Sequence, residues 1–117
     1  MKTILIVDDD LDNGLSVVLN QEGYRVVLAE NGIDGLDRVR EMRPDLVVLD
    51  FMMPLMDGGR MGHALRGAQD MAHIKIVMSS SLSEDAVQAR FAGYDGFLRK
   101  PYGIEVAVGM VGALLRA

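Results

Sequence analysis

The 117-residue sequence contains no cysteine, which removes disulfide frameworks and thiolate metal sites from consideration. That usage fits a reducing compartment, and a cytoplasmic location is expected. Basic residues are in the minority: 12 Lys and Arg stand against 17 Asp and Glu, for a net charge of -5. Wrapping a nucleic-acid backbone needs clustered cations that displace counterions, so no direct nucleic-acid binding is expected. No apolar run approaches the ~18 residues that suggest a membrane span, although hydrophobic residues make up 50% of the chain. The start, Met1-Lys2-Thr3, runs straight into a strand-like stretch and lacks the small-residue cleavage site of a secretory signal, so no membrane role is expected either. The length fits one domain over residues 1–117, burying roughly two thirds of the surface of its unfolded chain.

What remains is a regular alternation. Ile4 to Val7 is a short β-branched apolar run that stops at three aspartates, as expected of a strand buried on both faces. A helix follows, with Asp12 or Asn13 as cap, Leu11, Leu15, Val18 and Leu19 on one side, and Gly23 as a left-handed stop. Tyr24 to Ala29 reads as a second strand, Asn31-Gly32 as a turn and Ile33 to Met42 as a helix that ends before Pro44. Leu46 to Leu49 is a third strand ending in Asp50, followed by a Met-Pro-Leu-Met-Asp-Gly-Gly loop and a helix bearing Met61, Ala64 and Leu65. Ile74 to Met78 makes a fourth strand. Ser81 with Glu84 forms a candidate capping box for a helix holding Val87 and Phe91. Gly96 to Arg99 is a fifth strand, and Ile104 to Leu115 the last helix. Such alternation with short connections predicts an α/β fold, a parallel sheet covered by helices on both faces. The nine methionines read as core and loop packing.

Ligands of open α/β sheets bind beyond the carboxyl ends of the strands. The sequence puts Asp8 and Asp9 after the first strand, Asp50 after the third, Ser79 after the fourth and Lys100 after the fifth. Carboxylates ~4 Å apart at an effective dielectric of about 20 repel by about 4 kcal/mol per pair, so a cation must offset them. Oxygen ligands without histidine or cysteine select a hard ion, and Mg2+ accepts one or two carboxylates while keeping waters and a phosphate oxygen. With Lys100 opposite, the pocket suits a phosphoryl group arriving on Asp50 as nucleophile, with Ser79 donating to a phosphoryl oxygen.

The ordered set Val7-Asp8-Asp9, Asp50 with Met53-Pro54 and Met56-Asp57-Gly58, Ser79, and Phe97-Leu98-Arg99-Lys100-Pro101 resembles a response-regulator receiver domain, similar to the stand-alone chemotaxis regulator. The likeness runs from Ile4 to Leu115. It implies a doubly wound, flavodoxin-like (βα)5 fold with five parallel strands in the order 2-1-3-4-5. It also implies that Asp9, Asp50 and the backbone carbonyl of Met52 bind Mg2+ directly, with Asp8 acting mainly through a water. Asp50 would then take a phosphoryl group from a histidine kinase or a histidine phosphotransfer protein. Ser79 would move toward it and Phe97, at the switch-aromatic position, would turn inward, changing a surface for a downstream protein target. The Lys100-Pro101 bond would be cis, a state tolerated essentially only before proline. On this likeness the chain is a phosphoacceptor rather than a turnover enzyme.

Other readings are weaker. Asp8-x-Asp10 imitates the motif of haloacid-dehalogenase phosphatases, but the hydroxyl, the lysine and the second acidic pair of that family come in a different order. A pseudo-receiver would lack Asp50 or Lys100, and both are present. Gly58, Gly59 and Gly62 do not form the nucleotide-binding glycine fingerprint. Asp10 and Asp12 read as loop and cap residues, and His63 and His73 as surface residues without a partner at ligand spacing. In the last helix, Ile104, Val108, Val111 and Leu115 form one apolar stripe and Val106, Met110 and Ala113 a second, so a docking surface or weak dimer through this helix is expected. Only Glu105 and Arg116 are charged there, which does not match the charge-paired dimers of receivers fused to winged-helix domains.

Departures from the family pattern carry a prediction. Ser79 keeps the hydroxyl of the usual threonine, and Phe97 lacks the phenol of the frequent tyrosine. Met52 and Ser81 stand where access of hydrolytic water is tuned, and an apolar Met52 cannot orient that water. Slow self-dephosphorylation follows: release of inorganic phosphate from the acyl phosphate is expected over minutes or longer, and a half-life of seconds would refute it.

Overall fold

The computed structural model describes residues 1–10 and 14–116. Among these, strands β1 (Thr3–Val7), β2 (Arg25–Ala29), β3 (Leu46–Asp50), β4 (Lys75–Ser80) and β5 (Gly96–Arg99) alternate with helices α1 (Leu15–Gln21), α2 (Gly32–Met42), α3 (Gly58–Gly67), α4 (Glu84–Gln88) and α5 (Ile104–Arg116). All strand pairs are parallel, in the order β2-β1-β3-β4-β5. The α/β class, the five parallel strands and their expected order are thus all present.

The sheet divides the apolar side chains by strand alternation. Leu5, Val7, Val47, Leu49, Ile76 and Met78 face one core with Leu36 and Val39 of α2 and Met61 and Leu65 of α3. Ile4, Ile6, Leu46, Val48 and Val77 face the other, with Leu15 and Leu19 of α1 and Ala107 and Val111 of α5. Each of these Val, Leu, Ile and Met side chains contributes roughly 1.5–3 kcal/mol of transfer free energy. β3 is buried at all five residues, which is why its sequence runs apolar without alternation up to the single charge at its end.

Several local expectations are revised. Leu11, Asp12 and Asn13 lie outside the described residues, so the proposed cap of α1 does too; Gly14, at φ 79°, precedes that helix. Gly23 takes the left-handed conformation foreseen for it, at φ 94°. Asn31 is a helix cap rather than a turn residue: its side chain accepts from the Asp34 amide at 2.9 Å, so α2 starts one residue early. β4 continues two residues beyond Met78, and Ser79 is part of the sheet. The cap of α4 is Ser83, which accepts from the Ala86 amide at 3.3 Å, and not Ser81. Because that helix ends at Gln88, Phe91 is not on it; the Phe91 ring is buried instead against Gly62, where a Cβ would come within 2.6 Å of ring carbon. On α5, Val111 is buried and Ile104, Val108 and Leu115 are half-buried. Of the second stripe, Val106 and Ala113 are exposed, while Met110 covers Gly96.

One polar staple fixes the lower edge of β4 and the approach to β5. Arg66, at the end of α3, donates to the carbonyls of Gly93 (2.8 Å), Ala72 (2.9 Å) and Ile74 (2.7 Å) and to Asp95 Oδ2 (2.8 Å). Asp95 in turn accepts from the Ile76 amide at 2.8 Å. A planar guanidinium suits this because its donors are fixed in one fork. Arg66→Ala is therefore expected to lower unfolding free energy by about 2 kcal/mol, and Arg66→Lys to recover little of it, as read by urea titration.

Candidate functional site

The parallel register brings the carboxyl ends of β1, β3 and β4 level: Val7 pairs with Leu49, and Asp50 with Ser79. The residues that follow these ends share one edge of the sheet. Asp8 and Asp50 are buried there and Asp9 is exposed, and the three offer carboxylate oxygens that all lie within 4.8 Å of one another. Lys100, just past β5, places Nζ 3.2 Å from Asp8 Oδ2 and 3.4 Å from Asp50 Oδ1. The Lys100-Pro101 peptide is cis.

Backbone groups hold the acids in place. Asp8 Oδ1 accepts from the Asp10 amide at 2.9 Å, and the Met52 amide donates to Asp50 Oδ1 at 3.4 Å. Behind Asp50 the chain turns back on itself: the Gly58 amide donates to the Phe51 carbonyl, and a Cβ at Gly58 would run into the Asp50 carbonyl oxygen. Asp57 caps α3 by accepting from the Arg60 amide at 2.8 Å. Reading the sequence left Asp57-Gly58 without a role of its own, although a capping aspartate followed by glycine was the available signal.

Ser79 is buried beside Asp50 in the sheet, and the neighbouring Ser80 Oγ accepts from the Leu82 amide at 3.0 Å. Met52 is 59% exposed, so its thioether stands at the rim. Phe97 is half-buried, its ring 5.9 Å from that of Tyr94 at 45°. Of the two histidines, His63 is exposed, its ring meeting the Arg90 carbonyl and the edge of Phe91, and His73 is exposed. A cavity of about 320 Å³ opens beside Lys100 between Asp8, Asp10, Ser81 and Tyr102.

The charge balance is unequal, with three carboxylates facing one ammonium. Burial, and then the Asp8 charge, push the Asp50 carboxyl up to about 6, against the opposing pull of Lys100 and the Met52 amide. Burial draws Lys100 down, but the Asp50 and Asp8 charges outweigh it and hold the ammonium above its usual range. The remaining excess of negative charge, presented by oxygen donors alone, fits a hard divalent cation such as Mg2+.

Residues 4–111 match the family described as "Response regulator receiver domain". Among curated relatives, the response regulator MprA of Mycobacterium tuberculosis is 38% identical over 115 residues, which cover 97% of this chain and 50% of MprA. This chain thus spans about half the length of the curated relatives it matches. Among solved structures, the signal receiver domain of a histidine kinase from Syntrophus aciditrophicus superposes with a TM-score of 0.91 at 32% identity, covering 99% of this chain and 91% of that one. The response regulator TrrA of Thermotoga maritima, solved in complex with Mg(2+)-BeF, gives 0.86 at 28%, covering 97% and 99%.

The raised carboxyl at Asp50 sets the sign of a pH effect. Between about 3.8, the ordinary value, and about 6, the native state keeps a proton that the unfolded chain releases. Stability from this group is therefore present at low pH and lost as pH rises through that window. In metal-free buffer, Asp50→Asn is expected to raise unfolding free energy by about 2 kcal/mol at pH 8, with the gain vanishing below pH ~4. Denaturant titrations at the two pH values check both halves.

Proposed function

Since this chain belongs to the response regulator receiver family, we propose that residues 1–117 form one receiver domain that accepts a phosphoryl group on Asp50 and thereby alters a surface for a protein partner. The observation that carries the reading is Lys100 Nζ within 3.4 Å of two carboxylates, in an acidic triad whose oxygens converge within 4.8 Å. Receiver domains partner with histidine kinases. The donor here is a phosphohistidine, on a histidine kinase or a histidine phosphotransfer protein.

An Asp50 oxygen attacks phosphorus, the P–N bond to the donor imidazole breaks, and the electron pair leaves with the ring nitrogen. Asp9, Asp50 and the Met52 carbonyl would hold Mg2+ directly, with Asp8 through a water. The chemistry such an ion would supply there is positive charge to offset that of the phosphoryl oxygens. Lys100 takes up the charge facing it, and Ser79 donates to a phosphoryl oxygen from the adjoining strand. Ser79 and Phe97 then shift together, since their strands are paired with Met78 opposite Phe97 and Ser79 opposite Leu98.

No described helix is long and apolar enough to cross a membrane. We place the domain in the cytoplasm, without direct contact to nucleic acid or membrane. A downstream protein target meets the face formed near Phe97 and α5, where exposed Val106 and Ala113 also suit a weak dimer.

Incubation with Mg2+ and acetyl phosphate is expected to add one phosphoryl mass to the wild type and none to Asp50→Asn. Lys100→Ala should slow the addition on the order of a hundredfold. Continued turnover of the phosphodonor well beyond one equivalent, or labelling of Asp50→Asn at the wild-type rate, would overturn the assignment.

A further inference from the structure

Tyr94 has no part in the phosphoryl chemistry, yet it joins two elements on either side of the proposed switch. It lies in the turn before β5, half-buried against the first core beside Phe97. Its hydroxyl donates to Glu84 Oε2 at 2.6 Å, and Glu84 is the first residue of α4. Gln88, one helical turn further on, also approaches the phenol. Burial, and next the bond to Glu84, push the phenol up to about 12, so it remains a donor at physiological pH.

Among the described residues, α4 is a short and mostly exposed helix. The helix has five residues and one buried side chain, Val87, and a helix of that length depends on its surroundings to persist. Its cap, Ser83, follows Ser79 after only Ser80, Ser81 and Leu82, and Arg99 Nε clamps the Ser81 carbonyl at 2.9 Å. A displacement at Ser79 therefore reaches Glu84 through a short, tied connection.

We propose that Tyr94 is a positioning residue that latches α4: its bond to Glu84 favours the resting placement of the helix and so opposes the rearrangement that follows phosphorylation of Asp50. This inference rests on the switching role proposed for Ser79 and Phe97. A two-state equilibrium shifts only by the difference in free energy that an interaction makes between its states. A bond to a charged acceptor made in the resting state alone subtracts from what the phosphoryl group gains at the site. The ring and the hydroxyl act separately: the ring supports Phe97, and the hydroxyl restrains the helix.

Tyr94→Phe keeps the ring and deletes the latch. Binding of beryllofluoride with Mg2+ would be measured on the wild type, Tyr94→Phe, Glu84→Ala, the double variant and Asp50→Asn, with amide exchange of the unliganded proteins alongside. Tyr94→Phe is expected to bind about three- to tenfold tighter than the wild type, and Glu84→Ala similarly. The double variant should gain no more than either single change, because both remove one bond. Exchange should accelerate across residues 83–91 while the amides of β1 and β3 stay protected. Unchanged or weaker binding by Tyr94→Phe, or gains that sum in the double variant, would overturn the latch alone. A wild type that fails to bind beryllofluoride, or an Asp50→Asn that binds it equally well, would overturn the phosphoacceptor reading and the latch with it.

Discussion

The arrangement depends on a single ammonium group held between two buried carboxylates. Lys100 reaches Asp8 and Asp50 from the far side of the sheet edge, 92 and 50 positions away along the chain, and only a parallel sheet with level strand ends brings them together. Two buried like charges at that separation would be strongly unfavourable by themselves. One ammonium reduces the repulsion without cancelling it, and the Asp50 carboxyl is raised first by its burial and then by the Asp8 charge. The cluster is consequently left short of positive charge, the condition in which a hard cation and a polyanionic group are taken up together.

The surrounding fold converts that imbalance into a position-sensitive site. β3, buried throughout, fixes Asp50, and the turn closed by the Gly58 amide on the Phe51 carbonyl holds the backbone behind it. β4 delivers Ser79 within the sheet, so its hydroxyl sits on a rigid element while the residues just after it connect to the five-residue α4. The buried end of β4 and the five-residue α4, which has one buried side chain, are adjacent in the chain. In the proposed function that adjacency is what allows a small change at Asp50 to be felt at the surface.

Much of this was legible in the sequence, for identifiable reasons. Continuous apolar runs that end in Asp8, Asp50 and Ser79 declare strands buried on both faces with chemistry at their tips, because no solvent-facing position interrupts them. The order of these tips along the chain, together with Lys100-Pro101, suffices to bring the acids and the ammonium to one edge once the strands run parallel. Local details were less legible where tertiary contacts decide them. Ser81 and Ser83 are equally good caps by composition, and the extension of β4 through Ser80 decides for Ser83. Phe91 has helical spacing from Val87, yet the notch at Gly62 on α3 accounts for its burial. The Tyr94 bond to Glu84 joins a turn to a helix ten positions away and leaves no periodic mark in the sequence.

Among the described residues, the sheet also separates two apolar compartments that share no buried side chain: one roofed by α2, α3 and the Phe91 turn, the other by α1 and α5. A volume change under one roof is met first by the side chains of that face, since the strands between are tied edge to edge by their own ladder.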